Sequence, residues 1–184
     1  MHIIAKSTIF MIENYFKLFG LSEAFVIDQV ALKRQFLLLS KKYHPDFFVN
    51  STEFEKEEAL QKIATINKGF KILSNTNETI EYVLLLNGIL DPNEKYNLPG
   101  DFLLEMMELN EKIADAKFEN YAIALESCKN EIETIETTIY ANVKDYIEKY
   151  NESFYSQEGL LQVKEYFFKQ KYVNKLKQEL SNLS

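Results

Sequence analysis

A histidine and an aspartate flank a proline at His44-Pro45-Asp46. Such a pair can do acid–base work, because an imidazole titrates near neutrality and a carboxylate can orient it. The same three residues can instead serve recognition. Proline fixes the backbone, so the imidazole and the carboxylate project in a set geometry. Cys128 is the single thiol and His2 the second of two histidines. Two histidines do not make a multi-histidine metal site. One cysteine supplies neither an internal disulfide nor the thiolates of an iron–sulfur cluster. The chain has no Walker-type glycine loop, dinucleotide fingerprint or nucleophile elbow. His44 and Asp46 lack an evident pocket, nucleophile or third group, so no enzymatic activity and no cofactor are expected.

The segments around the tripeptide decide between the two roles. Before it, Leu32, Phe36, Leu39 and Tyr43 repeat at helical spacing from Asp28 to Lys42. After it, Ala59, Ile63, Ile66, Phe70 and Leu73 do the same from Glu53 to Leu73. Two facing apolar stripes joined by a short loop predict an antiparallel helical hairpin, with His44, Pro45 and Asp46 at its exposed tip. Pro45 disfavours helical backbone at His44, so the first helix must end there. Asp28, and Ser51 or Thr52, are the expected N-caps. Ser22 is a further cap candidate, and residues 12–20 read as a short apolar helix closed by Gly20.

The helix entering the tip carries Lys33, Arg34, Lys41 and Lys42 against one acid, Asp28. Arg34 and Lys41 share a face, with Lys33 and Lys42 beside them. Alone, such a run is a solvated helix face; leading into the tip, it favours a docking role. Leu37 and Leu38 fall on its flank and are expected to be partly exposed.

Beyond Thr79–Leu86, a short predicted helix, come Asn87-Gly88, Asp91-Pro92-Asn93-Glu94 and Leu98-Pro99-Gly100. Two of the three prolines lie here, which places a fairly stiff linker at 89–100 between domains at 12–88 and 101–184. Asp101 is the expected cap of a helix burying Phe102, Met106, Leu109, Ile113 and Ala116. That helix has apolar surface to spare at Leu103, Leu104 and Met107, bordered by Glu108, Glu111 and Asp115. A broadly buried bundle helix with an acidic edge is one reading; a partner surface, with apolar affinity and acidic selection, is the other. A long helix is expected from Lys117 to Tyr150, with Tyr121, Leu125, Cys128, Ile132, Ile135, Ile139, Val143 and Ile147 inward. Ser156 opens a third, using Leu160, Val163, Phe167, Tyr172, Leu176 and Leu180. The fold class is therefore all-α, with the hairpin first and a three-helix bundle second.

Charge and composition exclude some functions. The net charge of −7 disfavours nucleic-acid binding, and with it a small helix-turn-helix reader built on the basic helix. No window approaches a membrane span. Met1–Met11 lacks a cleavage site and the Arg-rich, acid-poor character of a transit peptide, with Met11 an alternative start. A cytoplasmic protein is expected.

The basic helix, Tyr43-His44-Pro45-Asp46 and the apolar helix after it, together with Tyr15-Phe16-Lys17-Leu18-Phe19-Gly20-Leu21, resemble a J domain, the module that activates DnaK-class chaperone ATPases. Ala64-Thr65-Ile66-Asn67, Glu81-Tyr82-Val83-Leu84, and Phe102-Leu103-Leu104-Glu105 with Glu108-Leu109 narrow the resemblance to the iron–sulfur co-chaperone family HscB, over about residues 12 to 182. The resemblance implies that His44, Pro45 and Asp46 signal to an HscA- or DnaK-class ATPase, with Lys33, Arg34, Lys41 and Lys42 steering the docking. It also implies that Leu103, Leu104, Met107, Glu108, Glu111, Asp115 and Tyr172 hold an IscU-like scaffold on which iron–sulfur clusters are assembled. A J-domain adaptor for another client is the alternative. Phe47 stands where many J domains carry Lys or Arg, and Asn110 and Lys112 replace charges expected in the family. The glycine/phenylalanine-rich linker and zinc region of general DnaJ proteins are absent, as are the N-terminal cysteine pairs of eukaryotic relatives, which points to a bacterial-type form.

Overall fold

A computed structural model describes residues 13–119, 121–150 and 156–181; Met1–Met11, with the alternative start and His2, lies outside them. Among the described residues all regular structure is helical. The helices are α1 (Tyr15–Phe19), α2 (Gln29–Lys42), α3 (Glu53–Leu73), α4 (Thr76–Leu86), α5 (Gly100–Phe118), α6 (Ala122–Ala141), α7 (Lys144–Glu148) and α8 (Gln157–Ser181). A 3-10 turn spans Pro45–Phe48. Among the described residues no helix is long and apolar enough to cross a membrane.

The chain divides into two compact units. Described residues up to Ser22 and residues 27–75 form the first. Its centre is the predicted hairpin. Leu32 of α2 and Ile66 and Leu73 of α3 are fully enclosed, and Phe36 stacks on Phe70 with ring centroids 4.0 Å apart. The Gln29 amide donates to the Leu73 carbonyl at 3.1 Å, so the start of α2 caps the end of α3 and fixes the antiparallel register. Helix α1 closes one side with Tyr15, Phe16 and Phe19. It lies so close that a Cβ at Gly69 would stand 2.7 Å from the Tyr15 ring, which only glycine avoids. Gly20 ends α1 with φ 64°, in the left-handed region glycine favours. Asp28 accepts from the Val30 and Ala31 amides. Thr52 and Glu55 form a reciprocal capping box at α3, whereas Ser22 caps no helix.

The second unit contains residues 23–26 and the chain from Thr76 onward. Its packing boundary therefore falls at 75–76, ahead of the 89–100 linker read from the prolines. The reason is the apolar character of α4: Ile80, Tyr82, Val83 and Leu84 are all buried there. Phe25 is buried against Tyr150, their rings 4.8 Å apart. The Glu23 carboxylate accepts from the Tyr150 hydroxyl at 2.7 Å and the Asn87 amide at 2.6 Å. The segment after α4 is held to α8: Lys164 donates to the Ile89 carbonyl at 2.7 Å and pairs with Glu94 at 2.6 Å. Tyr96 lies flat on Phe168 at 4.7 Å. The pair with Lys164 holds the Glu94 carboxyl below the usual range.

Helices α5, α6 and α8 form the predicted antiparallel bundle, with three differences. Asp101 does not cap α5. The helix begins at Gly100, because extended Pro99 supplies the entry, and Asp101 accepts from the next amide, Phe102 N–H, at 2.9 Å. The long helix expected from Lys117 to Tyr150 is three pieces: the end of α5, then α6, then α7. The Thr134, Thr137 and Thr138 hydroxyls each return to the carbonyl four residues earlier, which weakens a helix, and α6 stops at Asn142. The apolar period stays continuous because Ile139, Val143 and Ile147 are buried on both sides of the break. Tyr121, expected inside, is exposed at the N-cap of α6.

Candidate functional site: two exposed helical surfaces

The first surface ends at the tripeptide. Helix α2 finishes at Tyr43, and His44 takes the extended conformation (φ −64°, ψ 131°) that a following proline requires. The 3-10 turn then brings the chain back, with the Phe47 amide donating to the His44 carbonyl at 3.0 Å. The His44 Nδ1 accepts from the Asp46 amide at 3.3 Å. In the neutral ring that bond places the proton on Nε2. The Asp46 carboxylate stands 3.4 Å from the same Nδ1, and both side chains are exposed. The Phe47 ring meets His44 edge-on at 6.3 Å. The tip is thus an ordered, solvent-facing turn that presents an imidazole, a pyrrolidine and a carboxylate together.

Lys33, Arg34 and Lys41 continue this surface along α2. They line an open groove of about 670 Å³ with Val30, Leu37 and Leu38 as its apolar floor. All three apolar residues are exposed. Lys42 departs from this group, since its ammonium lies over the Tyr43 ring at 5.2 Å. Leu37 and Leu38 read as flank residues from spacing, and the structure adds Val30 to them. Its signal in the sequence is a second row, Val30, Leu37 and Lys41, that turns away from Leu32 and Phe36.

The second surface belongs to α5. Its buried stripe is the predicted one, Phe102, Met106, Leu109, Ile113 and Ala116. The neighbouring apolar residues are not absorbed by the bundle. Leu104 and Met107 are 57% and 56% exposed, and Leu103 is half-buried. Glu108, Glu111 and Asp115 are exposed beside them. The bundle fixes this face from beneath. Lys112 pairs with Glu131 at 2.8 Å, which raises the Lys112 ammonium above its ordinary range and ties α5 to α6. Tyr172 comes from α8, half-buried, and meets the Phe102 ring edge-on at 6.3 Å. The Lys169 ammonium also lies over the Phe102 ring, 5.5 Å from its centroid. Tyr172 therefore meets α5 at Phe102, a residue of its buried stripe.

Cys128 is buried on α6, and that burial pushes its thiol up, so it packs as a small apolar residue. Spacing does not mark Phe118, the last residue of α5, as a surface residue; it is 94% exposed.

Comparison with known proteins gives these surfaces a context. A family model described as the HSCB C-terminal oligomerisation domain matches residues 98–181. A curated relative, the "Co-chaperone protein HscB homolog" of Pseudoalteromonas atlantica, is 37% identical over 121 residues, which is 65% of this chain and 69% of that one. Among solved structures, the chaperone HscB from Vibrio cholerae superposes with a TM-score of 0.71 at 29% identity, covering 93% of this chain and 97% of that one. The human co-chaperone protein HscB gives 0.75 at 25% identity, covering 92% and 81%. The matched relative, the bundle-wide family match and the near-complete structural correspondence agree: this chain belongs to the HscB family of co-chaperones.

Proposed function

We propose that the protein is a two-handed cytoplasmic adaptor. The J-type tip docks on an HscA- or DnaK-class chaperone and stimulates its ATPase, and the α5 face carries an IscU-like iron–sulfur scaffold to that chaperone. The protein performs no covalent chemistry itself. The observation that supports this reading is a pair of exposed apolar surfaces of opposite charge on separate compact units: basic on α2, acidic on α5. His44, Pro45 and Asp46 carry the signal, while Lys33, Arg34 and Lys41 steer an acidic partner by long-range attraction. Lys42 supports the same field from beside Tyr43. Leu103, Leu104, Met107 and Tyr172 supply the apolar hold on the scaffold, and Glu108, Glu111 and Asp115 select a basic patch on it. Each contact can be weak, because joining both partners on one chain raises the effective concentration of client at the chaperone.

The test is steady-state ATP hydrolysis by the chaperone, with wild type and with Asp46→Asn. Asp46 is exposed, so the variant stays folded. Stimulation should fall by at least about tenfold, the effect of losing a central interface residue. Equal stimulation by the folded variant refutes the reading.

A further inference from the structure

Helix α5 carries an exposed aromatic that the face described above does not include. Phe118 closes the helix and is its most exposed large apolar residue, 94% open to solvent. Its direction follows from the helical repeat. Steps of three or four residues stay on one face of a helix. Such steps lead from Leu104 to Met107 or Glu108, on to Glu111, then to Asp115, and finally to Phe118. The whole set falls within a stripe about 100° wide, with Phe118 on the side of Met107. The stripe is about 21 Å long from Leu104 to Phe118, at about 1.5 Å per residue.

The order of chemistry along it is specific. Leu104 and Met107 stand at the N-terminal end, three carboxylates occupy the middle, and a bare phenyl ring ends it. Both apolar ends are exposed. Nothing in the bundle requires Phe118 to be aromatic, since the buried stripe ends at Ala116. Exposing such a ring forgoes the stabilisation that burying a large apolar side chain contributes. Beyond the end of α5, Tyr121 and Ile123 at the start of α6 are also exposed.

We propose that Phe118 is a second apolar anchor of the client-binding face. The partner surface it fits has a cationic patch flanked by two apolar pockets about 17–21 Å apart, one for Leu104 and Met107 and one for Phe118. This inference rests on the reading that α5 holds the scaffold. The carboxylates between the anchors select the partner: they attract a basic patch and repel an acidic one. Two separated anchors also fix its angular register along α5, which one apolar cluster does not.

The experiment is isothermal titration of a purified IscU-type scaffold into the full chain. Wild type, Phe118→Ala, Phe118→Leu and the pair Leu104→Ala with Met107→Ala are compared, with sedimentation and thermal melting of each protein alone. Phe118→Ala should weaken binding about tenfold, as loss of an interface anchor does, with an unchanged melt. Phe118→Leu should restore most of it. If the Leu104/Met107 pair weakens binding while Phe118→Ala binds as wild type does, the second anchor is refuted and the scaffold reading stands. If wild type binds no scaffold, both fall. If Phe118→Ala instead converts a sedimenting dimer to a monomer without changing scaffold affinity, the patch joins two copies of this chain and the proposal is overturned.

Discussion

The exposed faces of α2 and α5 use one design with opposite signs. Each helix buries an inner stripe and leaves an outer apolar row, Val30, Leu37 and Leu38 on α2, and Leu104, Met107 and Phe118 on α5. Lysine and arginine border the first row, glutamate and aspartate the second. In a docking surface an apolar row supplies affinity without direction, while bordering charge decides which surfaces approach. The difference between the faces lies at their ends. The α2 row runs into a turn that Pro45 makes rigid, so a signal can depend on the geometry of His44 and Asp46. The α5 row ends in a bare aromatic ring, which suits holding more than signalling.

That contrast can be broken at its foundation by comparing neighbours on one helix. Met106 is fully enclosed and Met107 is 56% exposed. Met106→Ala should cost about 2–5 kcal/mol in urea unfolding, by lost burial and a residual cavity. Met107→Ala should stay within about 0.5 kcal/mol, as surface changes do. Comparable losses at both would mean that the outer face of α5 is core. The next largest effect is functional and reciprocal. Asp46→Asn should remove at least about tenfold of chaperone stimulation and leave scaffold affinity intact. Leu104→Ala with Met107→Ala should weaken the scaffold about tenfold and leave scaffold-free stimulation intact. Parallel loss of both activities in either variant would show that the surfaces are not separate hands.

Smaller effects probe how each surface is held. Thr52→Ala removes half of the capping box that starts α3 just after the tip, and should cost about 1 kcal/mol by thermal melting. Glu94→Gln loosens the segment that leads into α5. Because Lys164 holds the folded Glu94 carboxyl below its unfolded value, the ion pair stabilises the fold above about pH 4.5 and the effect is lost as pH falls through the folded value. The substitution should cost about 1 kcal/mol at pH 7, and the difference from wild type should vanish once the pH falls below the folded value. A constant difference across that range would show that the loss is one of packing, not of charge.

Much of this was legible in residue order. The hairpin, the break at His44, the caps at Asp28 and Thr52 and the five buried positions of α5 all follow from period, proline and short polar side chains acting within a turn or two of themselves. Charge is equally local, so the basic run and the acidic border can be read directly. The misreadings share a cause. The stripe through Ile139, Val143 and Ile147 keeps its spacing across a real break, because an apolar repeat records what is buried and not whether the backbone between stays helical. Tyr121 has the chemistry of a core residue, yet it is exposed where one helix turns into the next.

By itself, the sequence determined the hairpin helices, the break at the tip and the sign of charge beside each surface, since these depend on near neighbours along the chain. Only the tertiary structure decided that α4 and residues 23–26 pack within the second unit, that Lys42 lies over Tyr43, and which outer apolar residues are left uncovered. Exposure is a property of what stands opposite a side chain. Those opposing groups, such as Phe70 for Phe36 or Tyr172 for Phe102, come from far along the chain, and only folding brings them together.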